Sequence, residues 1–113
     1  MIAVGVVLGA SGNLVSASAR GHAGQGAKGA DIVCASVTVL LRTTLAMLAS
    51  RSGLETEAET AGRGSLAFRV TAWREEDLPF LQYAAAFLRE GISSIEKEYP
   101  KAVVMRVETG SDY

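Results

Sequence analysis

A single cysteine, Cys34, and a single histidine, His22, are all that the 113 residues hold of either type. One thiol closes no internal disulfide, so Cys34 is free, paired between subunits or a small buried hydrophobe. Free thiols persist best in reducing cytosol, and a cytoplasmic protein is expected. No run of lysine or arginine stands out and the net charge is −1, which leaves nothing to neutralise a phosphate backbone and sets direct nucleic-acid binding aside. Aromatic residues make up only 6% of the chain, so the core must be mainly aliphatic. No basic residue precedes the apolar start MIAVGVVLGASG, which alternates with glycine as a strand does; despite Ala17-Ser18-Ala19, export is not expected. The stretch from Ile32 to Ala49 approaches membrane-spanning length but carries Arg42 at its centre among Ser36, Thr38, Thr43 and Thr44. That pattern reads as a buried core helix, with no membrane partner.

What is present is globular sequence, 49% apolar and 20% charged, too short for two substantial cores. Residues 2–9 and 13–20 are β-compatible and separated by Ser11-Gly12-Asn13, whose glycine and asparagine accept the positive φ of a tight turn. A long breaker-free apolar run follows Asp31 and stops near Arg51 to Gly53, a helix with Asp31 as N-cap and Gly53 as C-terminal stop. Leu54 to Thr60 and Ser65 to Trp73 are strands joined by Ala61-Gly62-Arg63-Gly64, and the alternation in the second predicts a half-buried antiparallel strand. Asp77-Leu78-Pro79 opens a second helix with Leu81, Ala84, Ala85, Leu88, Ile92, Ile95 and Tyr99 on one face; Pro100 stops it and Ala102 to Glu108 forms a last strand. The order ββαββαβ predicts an α/β (α+β) fold, an antiparallel or mixed sheet covered by two helices, in one domain over 1–108 with a tail at 109–113. The first helix is apolar on more than one face (Val33, Val37, Leu40, Leu41, Leu45, Met47, Leu48), more than one sheet face needs, and a homodimer would bury the surplus.

Chemistry concentrates where the first hairpin meets the first helix. With Asp31 as cap, Cys34 is the third helical residue, at the positive end of the helix dipole, where its reference pKa of about 8.5 falls toward reactive thiolate. The dipole contributes about 0.3–1 kcal/mol. An imidazolium about 4 Å away contributes nearer 4 kcal/mol at an effective dielectric of about 20 before desolvation, so His22 decides reactivity. Unpaired N–H groups around Cys34 and Ala35 then suit a developing oxyanion. Asp31 admits two opposed roles: as a cap its charge disfavours thiolate, and as an orienter of His22 it favours imidazolium. Thr38 shares a helical face with Asp31 and Cys34, and either touches substrate or bonds back to the Cys34 carbonyl. The loop Gly24-Gln25-Gly26-Ala27-Lys28-Gly29 matches GxGxxG between a strand and a helix. A strand carrying Ser16, Ser18 and Arg20, the short chain and acidic residues that return only at Glu55 argue against a dinucleotide site. Loop mobility, bringing His22 to Cys34 when substrate binds, is the other use of those glycines.

Gly21-His22-Ala23, a glycine-bearing loop and Gly29-Ala30-Asp31-Ile32-Val33-Cys34-Ala35 before a long apolar helix closely resemble the ribosomal-processing cysteine protease (Prp) family. The resemblance implies a Cys-His endopeptidase with His22 as base and Cys34 as nucleophile, supported by Gly21, Asp31 and Ala35, with neither metal nor cofactor. It further implies a small homodimer that removes the N-terminal extension of large-subunit ribosomal protein number twenty-seven. Where the family usually reads Ala-Ala-Val-Ser, this chain has Ala35-Ser36-Val37-Thr38, and its loop has no acidic residue before Asp31, differences that bear on substrate preference more than on chemistry. The alternative is a ribosome-associated adaptor that binds the same peptide and cleaves nothing. Phe68, Trp73, Phe80 and Tyr83 are candidates for specificity pockets, with core packing as their competing role.

Overall fold

In β1 (Ile2–Leu8) every second side chain, Ile2, Val4, Val6 and Leu8, is buried, and in β2 (Leu14–Arg20) Leu14, Ala17 and Ala19 join the same core, the ladder slipping by one residue at Val15. Period-2 burial of small and β-branched residues is what a sheet with one covered face requires. The computed structural model describes residues 1–21, 30–60 and 65–110. The remaining elements are α1 (Ala30–Ala49), β3 (Glu55–Glu59), β4 (Ser65–Ala72), α2 (Leu78–Glu98) and β5 (Val103–Thr109). The expected order ββαββαβ is therefore the observed one. The strands form one sheet in the order β3-β4-β2-β1-β5. It is mixed, because β5 lies parallel to β1 while the other neighbouring pairs are antiparallel.

The β1–β2 turn departs from expectation in one residue. Gly12 has φ +77°, but no non-glycine residue has positive φ among the described residues, Asn13 included. Asn13 is instead buried just before β2 and its carbonyl accepts from the Gly9 N–H at 2.8 Å, so Gly12 alone carries the positive φ of the turn.

Both helices pack on one sheet face. In α1 the side chains of Val33, Val37, Leu41, Thr44 and Leu48 are buried, at the three- and four-residue spacing of a helical stripe. The Thr44 hydroxyl is satisfied by donating to the Leu40 carbonyl at 2.8 Å. The outer face of α1 is not buried: Ile32, Val39 and Met47 are exposed, as is Arg42. This corrects the expectation of a helix buried in the core and leaves the apolar surplus on view. By length and hydropathy α1 alone among the described helices matches a membrane span, yet its inner stripe is part of the sheet's core. In α2 the buried face is Leu81, Ala84, Ala85, Leu88 and Ile92, and Pro79 stands in the first turn, where its missing N–H is unneeded.

Asp77, fully buried just before α2, ties the two helices together. Its Oδ1 accepts from Arg51 Nη2 and Nε at 2.8 and 3.1 Å, and its Oδ2 accepts from the Arg74 backbone N–H at 2.9 Å. That N–H and the Arg51 guanidinium hold the Asp77 carboxyl below the usual aspartate range, against the opposing effect of burial.

Candidate active site

The chain leaves the sheet at the end of β2 through Gly21, whose φ is +95°. A Cβ built there would lie 2.7 Å from the Met1 carbonyl oxygen, so both the dihedral and the space demand glycine. His22 follows directly. It lies outside the described residues, as do Ala23 to Gly29 and with them the GxGxxG segment. The described chain resumes at Ala30, the first residue of α1.

That start lies two residues earlier than the sequence suggests, with two consequences. Asp31 sits inside the first turn and is not the N-cap, so its carboxylate gains from the dipole there without closing the helix. Cys34 is then the fifth helical residue. Its N–H and that of Ala35 point at the carbonyls of Ala30 and Asp31 in the helical i→i−4 pattern, so the expected oxyanion donors are engaged by the helix. Among the described residues, the N–H groups left without helical partners belong to Ala30, Asp31 and Ile32, in the first turn. Alanine, the best helix former, extends the helix N-terminally and moves this set of donors with it.

The spacing expected of Asp31, Cys34 and Thr38 holds. Cys34 is half-buried against the core, whereas Asp31, Ala35 and Thr38 are exposed. A thiol supported on one side and open on the other has the access that a nucleophile needs. Since dipole effects fade beyond the first turn, its activation depends on a charged partner more than on the helix.

The larger concavities among the described residues lie elsewhere. One of about 680 Å³ is lined by Ser16, Ser18, Glu57, Glu59, Ala67 and Arg69, on the sheet face away from the helices. It contains no cysteine or histidine, its Arg69 and Glu57 are paired at 2.6 Å, and α1 with Cys34 is on the other side of the sheet. Of the specificity candidates, Phe68 belongs to the core and Phe80 lies 4.6 Å beneath the Arg51 guanidinium. Trp73 and Tyr83 are exposed. The dinucleotide alternative fails on topology, because β2, which feeds the glycine loop, runs antiparallel to both its neighbours instead of heading a parallel βαβ unit. Asp77, a buried carboxylate with a lowered pKa, was legible in sequence only as the opening of the second helix; its burial and its pairing with Arg51 had no local signal.

The family model of the cysteine protease Prp matches residues 1–104. Among curated proteins nothing matches the chain. Among solved structures, the ribosomal processing protease Prp from S. aureus in complex with a substrate peptide is similar over 95% of this chain and 99% of that one, with a TM-score of 0.78 and 19% identity. The same protease with a covalently linked product peptide gives 0.76 and 20%, over 95% and 99%. SMU.848 from Streptococcus mutans gives 0.74 and 23%, over 97% and 96%.

Proposed function

Because the chain belongs to the cysteine protease Prp family and is thereby a cysteine peptidase, we propose that Cys34 is its nucleophile, His22 its general base, and the N-terminal extension of large-subunit ribosomal protein twenty-seven its substrate. The observation that carries this is the half-buried Cys34 near the start of α1, with the segment bearing His22 tethered between Gly21 and Ala30. Cytoplasmic location keeps that thiol reduced.

In this mechanism His22 takes the Cys34 proton and the thiolate attacks the scissile carbonyl. The tetrahedral oxyanion is met by first-turn N–H groups of α1. As that intermediate collapses, the amine leaves with the proton from His22 and Cys34 holds the acyl group as a thioester. His22 next deprotonates a water that attacks the thioester, and the acid departs as the thiol is restored. Asp31, no longer a cap, orients His22, and exposed Thr38 touches the peptide. The S. aureus relative carries substrate and product peptides, which supports peptide hydrolysis over the adaptor alternative. A second copy of the chain covers the outer face of the two helices.

The test is cleavage of the cognate precursor peptide. Cys34→Ala is expected to abolish it, and His22→Ala to slow it by about 10²–10⁴-fold. Undiminished cleavage by Cys34→Ala would overturn the assignment, and tight binding without turnover by the wild type would make the protein an adaptor.

A further inference from the structure

The outer strand β5 has one edge paired with β1 and one edge free. The Ala102 carbonyl accepts from the Ile2 N–H at 2.8 Å and the Gly110 N–H donates to the Leu8 carbonyl at 2.8 Å, so the even-numbered residues turn their backbone groups toward β1. Val103, Met105, Val107 and Thr109 therefore turn theirs outward, because successive residues of a strand alternate sides. Such an edge is a template for another strand. One of its donors is taken from within the chain: the Met105 N–H donates to Glu96 Oε2 at 3.1 Å. Glu96 belongs to the last turn of α2, on the covered face of the sheet, and its side chain reaches the edge at the middle of β5.

The free edge is complementary to itself. Val103 and Met105 pack toward the helices, whereas Val104, Arg106 and Glu108 line the opposite face beside Ala3, Gly5 and Val7. Arg106 and Glu108 are exposed, and among the described residues neither belongs to an ion pair. A second β5 laid antiparallel about a two-fold axis through Val107 sets Val107 against its own copy and Met105 against Thr109 of that copy, as hydrogen-bonded pairs. Between them Arg106 stands opposite Glu108 of the copy, and Glu108 opposite Arg106, in non-hydrogen-bonded pairs with Cα atoms about 4.5 Å apart. Since only odd-numbered residues offer outward groups, the next register on one side sets Arg106 against Arg106 and on the other Glu108 against Glu108. Facing opposite charges stabilise a ladder and facing like charges destabilise it, so these two residues select the register centred on Val107. A surface that meets itself about a two-fold axis is what an isologous contact requires.

We propose that the free edge of β5 is a docking surface for the same edge of a second copy of this chain, and that Glu96 is the latch that holds it shut. In the paired edge the Met105 N–H donates to the Thr109 carbonyl of the copy. In the closed chain Glu96 holds that N–H, and its carboxylate stands where the incoming strand would lie. The two-fold axis repeats the obstruction at both ends of the ladder and leaves only the central Val107 pair. Opening the edge therefore exchanges one charge-assisted hydrogen bond in each chain for a backbone ladder and two facing charge pairs. The contact is separate from the groove between α1 and α2, so copies joined through that groove are linked edge to edge into larger assemblies. It is independent of the protease reading of Cys34.

The test is sedimentation equilibrium across a concentration series, with amide exchange as the local readout. Glu96→Ala frees the Met105 N–H at a half-buried helical position where alanine favours the helix. It is expected to tighten edge-to-edge association by about tenfold or more, seen as a larger mass than the wild type at equal concentration and slower exchange of the Val107 N–H. Adding Arg106→Glu sets like charges opposite one another and should return the mass to that of the wild type. Adding Glu108→Arg as well restores the charge pairs with their signs exchanged and should restore the larger mass. Iodoacetamide should label Cys34 at one rate in all four proteins, showing an intact fold. If Glu96→Ala keeps the wild-type mass throughout, if its larger mass survives Arg106→Glu, or if Val107 exchange does not slow as mass rises, the edge contact is wrong. The wild type alone also tests the latch: its Met105 N–H should exchange more slowly than its Val107 N–H, and equal rates would remove Glu96 from this role.

Discussion

At the scale of single residues, Gly21 and Gly12 share a backbone conformation and differ in space. Both have positive φ, but a Cβ at Gly12 would meet nothing within 4 Å whereas one at Gly21 would press on the Met1 carbonyl at 2.7 Å. Gly12→Ala is expected to cost about 1 kcal/mol, the left-handed penalty alone. Gly21→Ala adds a backbone clash and should cost about 2–3 kcal/mol, read as a melting temperature several degrees lower still. The clash is relieved by moving Met1 or the chain just before His22, and where the second gives way cleavage by Gly21→Ala at a temperature where it is fully folded should also fall. Equal melting temperatures for the two variants would show that the Met1 contact does not constrain this turn. The face shared by Asp31, Cys34 and Thr38 was legible in sequence because helical periodicity is local. The helix start was not, since one residue decides which amides stay unpaired and sequence places helix ends only to within a residue or two.

Among the elements, the link between α1 and α2 depends on Asp77. Its lowered pKa means that the unfolded chain binds this proton more readily than the folded one, so stability increases with pH across the transition. The contribution is fully present above the ordinary aspartate value of 3.8 and is lost as pH falls through the lower folded value. Urea titrations from pH 5 down to pH 3 should therefore show a steeper loss for the wild type than for Asp77→Asn, which is less stable at pH 7 but has no carboxyl to protonate there. Parallel slopes would mean that Asp77 does not report on acid unfolding. Nothing in the sequence around Asp77 announces the link between the helices, because its partner there, Arg51, is 26 residues away. The strands and the second helix were legible for the opposite reason. Leu66, Phe68 and Val70 alternate with Ala67, Arg69 and Thr71, and Leu81, Ala84, Ala85 and Leu88 recur at helical spacing, so each pattern carries its own period. The parallel pairing of β5 with β1 joins the two ends of the chain, and no local pattern could distinguish it from an antiparallel edge.

For the whole molecule, a two-layer fold buries one face of each helix and leaves the other to solvent or to a partner. Here that outer face is apolar: Met47 is 42% exposed, Tyr83 69% and Phe87 43%, around a groove between the helices that Thr44, Phe80 and Ala84 complete. Large exposed aromatics clustered on one patch are the signature of an interface, and a stable one buries more than about 1,000 Å² in total. The proposed homodimer uses this patch. On α1, Met47 lies about 140° around the helix from Cys34, so two copies can meet through the groove while both nucleophile flanks stay open. Sedimentation velocity should then show a dimer for the wild type and a monomer for Phe87→Glu, whose charge cannot be buried without a partner. The melting temperature of the wild type should rise with protein concentration and that of Phe87→Glu should not. Cleavage per chain by Phe87→Glu should persist, because Cys34 and the dimer face lie on separate flanks of the same helix. A Phe87→Glu variant that remains dimeric would move the interface elsewhere, and one that is monomeric and inactive would show that the site is completed across it.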